Sequence, residues 1–363
     1  MAKVFVALSG GVDSSVAALL LQNQGYEVSC VFMRFWADPR FGSWNRCCSL
    51  DSERRARAIA LKLGVPFFVF DFKKEFKKEV VDYFLKETRL GLTTNPCVVC
   101  NKKIKLGLFL KKALSLGADY VATGHYARLG NIISSPLDIS FALFRAKDKN
   151  KDQSYFLWKL NQEQLAKILF PIGEYTKTEV RVLAKKHRLL TAKIKESQNL
   201  CFLSTDPNDF LKSNLTLKPG KIIDTKGKII GKHFGLGFFT IGQRQGIGPN
   251  LFLKEQSHGP FYVLKKDLKK NILIVTRKEK DLFKKELIAT EINWISGKAP
   301  KLPLKAKVKI RSQQKEVFAI IGHRMSNGHA MSVKFINPQR AITPGQSIVF
   351  YKGQELLGGG IIL

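Results

Sequence analysis

The chain has 363 residues, 61 of them Lys or Arg against 29 Asp or Glu, for a formal net charge of +32. Its length allows two or three domains, and its 45% hydrophobic content is that of a folded globular protein. No apolar run reaches the ~18 residues of a membrane span, and the N-terminal run is too short for a signal-peptide core, so a cytoplasmic protein without membrane contact is expected.

Residues 4–8 form a short apolar run that reads as a buried strand. Ser9-Gly10-Gly11-Val12-Asp13-Ser14-Ser15 follows, and then a helix from about residue 14 to 24. This order aims a helix N-terminus and several backbone N–H groups at one small volume, which suits an anion. The glycines allow close backbone approach, and Ser9, Ser14 and Ser15 add hydroxyl donors. The plain alternative is an ordinary strand-to-helix turn. The stretch is not a Walker A loop: no Gly-Lys-Ser/Thr follows, and no lysine is expected to reach the β- and γ-phosphates.

Apolar runs at 28–33, 66–70 and 120–123 read as further strands, with helical stretches near 51–63, 73–87 and 102–116. Such alternation predicts an α/β domain with a doubly wound parallel sheet, whose ligands sit at the strand carboxyl ends. Residues 153–200 read as helical, 178–184 most clearly. After about residue 210 short alternating runs and glycine turns take over (221–224, 228–231, 237–241, and on to 347–351). They predict a small β-rich module followed by a closed β-barrel. The expected domains are 1–205, 206–282 and 283–363.

Six cysteines stand at 30, 47, 48, 97, 100 and 201. In a cytosolic chain they suggest catalysis or metal binding rather than structural disulfides. Cys97 and Cys100 precede a basic helix, where a thiol next to Lys102 and Lys103 should favour thiolate. A structural zinc site with Cys47 and Cys48 is the alternative, and Cys201 alone could be a small buried hydrophobe. Residues 265–334 carry 18 Lys or Arg and 6 Asp or Glu, a field that recruits polyanions unless it reflects a general lysine bias. Lys305, Lys307 and Lys309 alternate towards Arg311, giving one basic barrel face suited to phosphates.

Several stretches, taken in order, resemble one family. They are the Ser9–Ser15 loop, residues 32–36, residues 95–101 with Ile104-Lys105, residues 122–128, Lys151-Asp152-Gln153 with residues 154–157, residues 171–174, residues 197–202 and residues 240–244. The chain resembles the tRNA-specific 2-thiouridylases (MnmA in bacteria, TrmU in mitochondria), which are PP-loop ATP-dependent sulfurtransferases with an adenine nucleotide alpha hydrolase-like domain. Pro344-Gly345-Gln346 near the end also fits. The resemblance implies ATP with Mg²⁺, held by Ala7, Leu8, Ser9, Gly10, Gly11, Val12, Asp13, Ser14, Met33 and Gly124. It places Asn95, Pro96 and Cys97 against the target base, and His125, Lys151, Asp152, Gln153, Arg311, Ser312 and Gln346 against tRNA. Blander readings stand beside three of these: His125 satisfying a carbonyl, Lys151 in a solvated loop, Met33 as core.

The implied reaction adenylates the 2-oxygen of a wobble uridine in tRNA of the Lys, Glu or Gln type. Sulfur from a persulfide-donor protein then arrives on Cys201. Cys100 acts as the nucleophile, and a transient Cys100–Cys201 disulfide follows. The chain departs from the familiar pattern at Cys97, where many members carry Asp. That change makes a set of three thiols, so a [4Fe-4S] cluster on Cys97, Cys100 and Cys201 is the alternative sulfur carrier. A PP-loop ligase acting on a small molecule is a further alternative, as is a nucleic-acid-binding protein with a degenerate loop. Cys30, Cys47 and Cys48 are expected to have no catalytic role.

Overall fold

The computed structural model describes residues 1–41, 49–135, 138–194, 201–203, 206–252, 260–324 and 330–363. Cys47, Cys48 and most of the stretch before Cys201 lie outside the described residues.

The N-terminal part alternates strands and helices as its apolar runs demand. In order come β1 (Lys3–Ala7), α1 (Val12–Asn23), β2 (Glu27–Arg34), α2 (Leu50–Leu63) and β3 (Phe67–Asp71). A continuous helix over residues 73–89 follows, then another over 96–115, and then β4 (Tyr120–Thr123). α2 starts where the Ser49 side chain accepts the Ser52 N–H, and ends at Gly64 in the left-handed conformation. α1 is apolar nearly all round because it is buried between the sheet and its neighbours.

The strands make a five-stranded parallel sheet in the order β3-β2-β1-β4-β7, with β7 at Ile168–Leu169. The order reverses between β1 and β4, so a crevice opens at the ends of those two strands. The fifth strand falls in the region that the sequence pattern assigned to helix. Within residues 153–200 the regular elements are 3₁₀ turns, a one-turn helix Gln162–Leu165, this short strand and the helix Lys177–Lys186. Both helices start with a capping box, Asn161 with Gln164 in the first and Thr176 with Glu179 in the second, and only the second runs on beyond one turn.

A hairpin of β5 (Ala127–Ser135) and β6 (Asp138–Arg145) follows β4. It leaves the first domain and joins the sheet of the last one. The central module is a four-stranded sheet ordered β10-β11-β8-β9, built from β8 (Gly220–Ile223), β9 (Ile229–His233), β10 (Tyr262–Asp267) and β11 (Ile272–Thr276).

Six strands close into the C-terminal barrel: β12 (Phe283–Trp294), β13 (Leu304–Lys309), β14 (Val317–Arg324), β15 (Ala330–Arg340), β16 (Ser347–Lys352) and β17 (Glu355–Ile362). The β12–β17 pairing completes the ring, and β17 also pairs with β6 through Glu355↔Phe144 and Leu356↔Leu143. Leu287, Val308, Ile321, Val333, Phe335 and Phe350 fill the barrel interior. No described helix is long and apolar enough to cross a membrane.

Candidate functional site: a nucleotide crevice beside a cysteine helix

β1 delivers the chain into the crevice, and the loop then folds on its own hydroxyls. Ser9 N–H donates to Ser14 Oγ at 3.1 Å, while the Ser14 and Ser15 hydroxyls donate to Gly11 O at 3.2 and 2.8 Å. Ser15 is fully buried and holds the first turn of α1. Gly10 has φ +74°, and a Cβ there would sit 2.3 Å from Ser52 O in the first turn of α2. Its need is therefore backbone conformation and helix packing. The close approach at Gly124 is likewise internal, since a Cβ would lie 2.7 Å from Ser14 N. Val12 points into the core at 3% exposure.

A cavity of about 190 Å³ opens above the loop. Ala7, Leu8, Ser9, Asp13, Ser14, Met33 and Gly124 line it, as do Phe32, Phe35, Lys105 and Thr123, which the sequence reading did not select. His125 and Gln153, expected against tRNA, line the same cavity. His125 is buried, with Nδ1 2.6 Å from Thr123 Oγ1 and its ring edge-on to Phe170. Burial, with a smaller push from Lys105, lowers its pKa to about 3, so it stands in the cavity as a neutral imidazole. Gln153 Oε1 accepts the Tyr126 N–H at 2.9 Å, and Gln153 N–H donates to Tyr126 O at 2.8 Å.

A lysine from outside the motif pairs with this loop. Lys177, at the start of its helix, donates to both carboxylate oxygens of Asp13 at 2.7 and 2.8 Å. The Tyr126 hydroxyl donates to the same carboxylate at 2.8 Å. The Lys177 side chain is 11% exposed, so this ion pair is shielded from water. Its backbone N–H donates to Asp148, which fixes the helix start. Arg55 adds a second cation, donating to Gly10 O at 3.2 Å and Ser52 Oγ at 3.0 Å. These partners lie far from the loop in sequence. A motif reading finds them only when it is carried across the whole sheet.

The cysteine helix starts at Pro96, earlier than the basic stretch suggested, so Cys97 and Cys100 lie inside it. Pro at the first position needs no N–H partner and presets φ. From Cys100 to Leu108 the helix widens to π geometry, a distortion often found at functional sites. Lys105 on this stretch reaches the nucleotide cavity. Cys100 is buried at 4% exposure, and Cys97 is half-buried. Cys201 packs partly against the same core as Cys100, and Phe202 beside it is locked edge-on among Phe76, Phe84 and Phe210.

Among the described residues no group of three or more His, Cys, Asp or Glu side chains is arranged to hold a metal ion. Cys30 lies in β2 with no exposure, and burial raises its pKa to about 12.

The remaining expected tRNA contacts are mostly engaged within the protein. Gln346 Nε2 donates to Thr93 O at 2.8 Å, and Thr93 N–H donates to Pro344 O, so the barrel holds the segment leading to Asn95. Asp152 accepts from Ser154 N–H and Oγ at 3.1 and 3.0 Å. Lys151 beside it is half-buried. Arg311 does not join the outward lysines of β13. It turns in and donates to Ala341 O at 3.0 Å and Thr343 Oγ1 at 3.2 Å, and burial lowers its pKa. Ser312 O accepts from Lys309.

A family model described as the tRNA methyl transferase HUP domain matches residues 2–205. A PRC-barrel domain of the same series matches 208–277, and an aminomethyltransferase β-barrel domain matches 284–362. Among curated proteins, one from Marinomonas sp. (strain MWYL1) named tRNA-specific 2-thiouridylase MnmA is 44% identical over 99% of this chain and 90% of its own length. A protein of the same name from Carboxydothermus hydrogenoformans is 43% identical over 99% of this chain and 97% of its own. Another from Roseiflexus castenholzii is 41% identical over 100% and 99%.

Proposed function

Because the chain belongs to the tRNA-specific 2-thiouridylase family, we propose that it replaces the 2-oxygen of a wobble uridine in tRNA with sulfur, at the expense of ATP. The observation that carries this reading is the convergence of two machineries on one crevice. Lys105, five residues beyond Cys100 on the same helix, lines the cavity built by the Ser9–Ser15 loop. The family model's description speaks of methyl transfer, whereas the curated relatives are named thiouridylases. A nucleotide loop beside two cysteines of one helix serves the second chemistry.

A uracil carbonyl oxygen is a poor leaving group. Attack of that oxygen on the α-phosphate forms an O–P bond and expels pyrophosphate, so the oxygen can later depart as AMP. Strand-end residues Leu8 and Met33 flank the nucleotide, and the helix N-terminus of α1 faces its phosphates. Lys105 lines the cavity and supplies positive charge for the phosphates, and Lys177, paired with Asp13 beside the loop, adds to the field there. Asp13 is the one carboxylate among the described cavity residues, and Lys177 and Tyr126 already occupy both its oxygens, so these residues do not fit a protein-held Mg²⁺ ion.

Sulfur reaches Cys201 as a persulfide from a donor protein. Cys100 attacks the Cys201 sulfur, the S–S bond breaks, and the terminal sulfur bonds to C2 as AMP leaves. The Cys100–Cys201 disulfide that remains needs a two-electron thiol reductant. Cys100 is buried, so local movement must precede this step.

The test is pyrophosphate release from ATP in the presence of tRNA bearing an unmodified wobble uridine, followed by mass spectrometry of the tRNA. Release that requires tRNA, with oxygen exchanged for sulfur, is expected. Release without tRNA would move the assignment to a small-molecule ligase. Stoichiometric iron, lost together with activity on chelation, would move the sulfur step to a cluster.

A further inference from the structure

A second cavity, of about 260 Å³, lies where the three domains meet. One wall is formed by Gly91, Leu92 and Thr93, a segment that enters the cysteine helix three residues later at Pro96. The other walls come from β10 of the central module and from the barrel near Thr343. Three lysines line it: Lys265 and Lys266 of β10, and Lys284 of β12. No described lining residue is acidic. Among the described residues no ion pair engages any of the three lysines, and Lys266 has only Gly91 O, to which it donates at 2.8 Å.

Three cations converging without a carboxylate are an unusual arrangement. Like charges lining one cavity repel each other. Lys266, the one of the three that is partly buried, also loses hydration, and burial lowers its pKa to about 8. An anion entering the cavity would relieve both costs. The apolar surfaces of Leu264, Leu268 and Ile342 would meet a neutral sugar face.

We propose that this cavity binds a backbone phosphate of the tRNA, with its ribose against the apolar wall, and so fixes the segment that presents Asn95, Pro96 and Cys97. The proposal rests on the tRNA reading above. The bound phosphate would sit against the carbonyl-bearing strip that Lys266 and Gln346 already hold. Docking of the nucleic acid would thereby be coupled to the position of the catalytic helix. The cavity is separate from the nucleotide crevice and shares no lining residue with it.

The experiment measures tRNA affinity against salt for the whole protein and for the double variant Lys265→Gln/Lys284→Gln. Both side chains are exposed, so the fold is not at risk. Loss of one phosphate contact should lower the slope of log K against log salt by roughly 0.7–0.9. Affinity at fixed moderate salt should fall about tenfold, with ATP binding unchanged. Lys266→Met should add a fall in kcat, because the segment before Asn95 loses its tether. An unchanged slope and affinity in the folded double variant overturns the proposal alone. Failure of the wild-type protein to bind tRNA at low salt overturns it together with the functional reading. If inorganic phosphate raises the melting temperature through these lysines while the tRNA slope stays the same, the site belongs to a free anion and the proposal falls.

Discussion

Lys177 shows how one side chain can complete a motif from a distance. The glycine loop provides N–H donors but no full positive charge, and the Asp13 carboxylate both attracts Lys177 and anchors it. Replacing Lys177 by Met should slow pyrophosphate release by roughly 10²-fold or more, the usual loss for one preorganised donor. Arg at this position should restore part of the rate, because the charge remains while the reach differs. Equal rates in wild type and Met variant would remove Lys177 from the reaction.

His125 carries a stability consequence with a defined sign. Its folded pKa lies near 3 and its ordinary value is 6.5, so the unfolded chain takes up a proton that the folded chain refuses. Its contribution is complete above pH 6.5 and is lost as pH falls from there towards 3. Chemical denaturation at pH 7.5 and pH 5 should therefore show a smaller drop for His125→Gln than for wild type. Cys30 makes a third residue-scale case. Buried and with a raised pKa, it should stay unalkylated in native protein while half-buried Cys97 and Cys201 react.

At the scale of elements, the loop and the first turn of α2 form one packed unit. Gly10→Ala puts a Cβ into the Ser52 carbonyl as well as straining φ, and should cost about 2–3 kcal/mol and abolish ATP binding. Gly25 is the control, since its φ of +83° is similar but its surroundings are open. Gly25→Ala should cost about 1 kcal/mol and leave ATP binding intact. Equal melting temperatures for the two variants would contradict the packing account. The parallel strands, the loop and the paired cysteines were legible because each is written in a contiguous pattern. The hairpin β5–β6 was not. Its strands are half in one domain and half in another, so no single alternation marks them. The helix around Cys97 was placed late because Asn95 and Pro96 look like a turn until Pro is counted as a first helical residue.

For the whole molecule, the domain borders suggested by composition understate how closely the parts are joined. Trp158 Nε1 donates to Ser347 Oγ, Tyr155 OH donates to Ser347 O, and Asn293 donates to the carbonyls of Trp158 and Leu160. Removing residues 283–363 would leave the β6 edge unpaired and bare Trp158, a fully buried side chain. The intact chain should melt in one calorimetric transition, and the truncated one should aggregate or unfold well below it; two independent transitions would refute this coupling. Such long-range bonds connect residues 133 to 253 positions apart, Gln346 on Thr93 the farthest, and leave no trace in local pattern. They also set an order of events during synthesis. Pro344 and Gln346 lie among the final twenty residues, so a chain still emerging from the ribosome can shape its nucleotide loop long before the strip ahead of Cys97 is secured. Maturation therefore waits for this last stretch, and a stop ahead of Pro344 leaves a chain whose strip before Cys97 lacks both tethers.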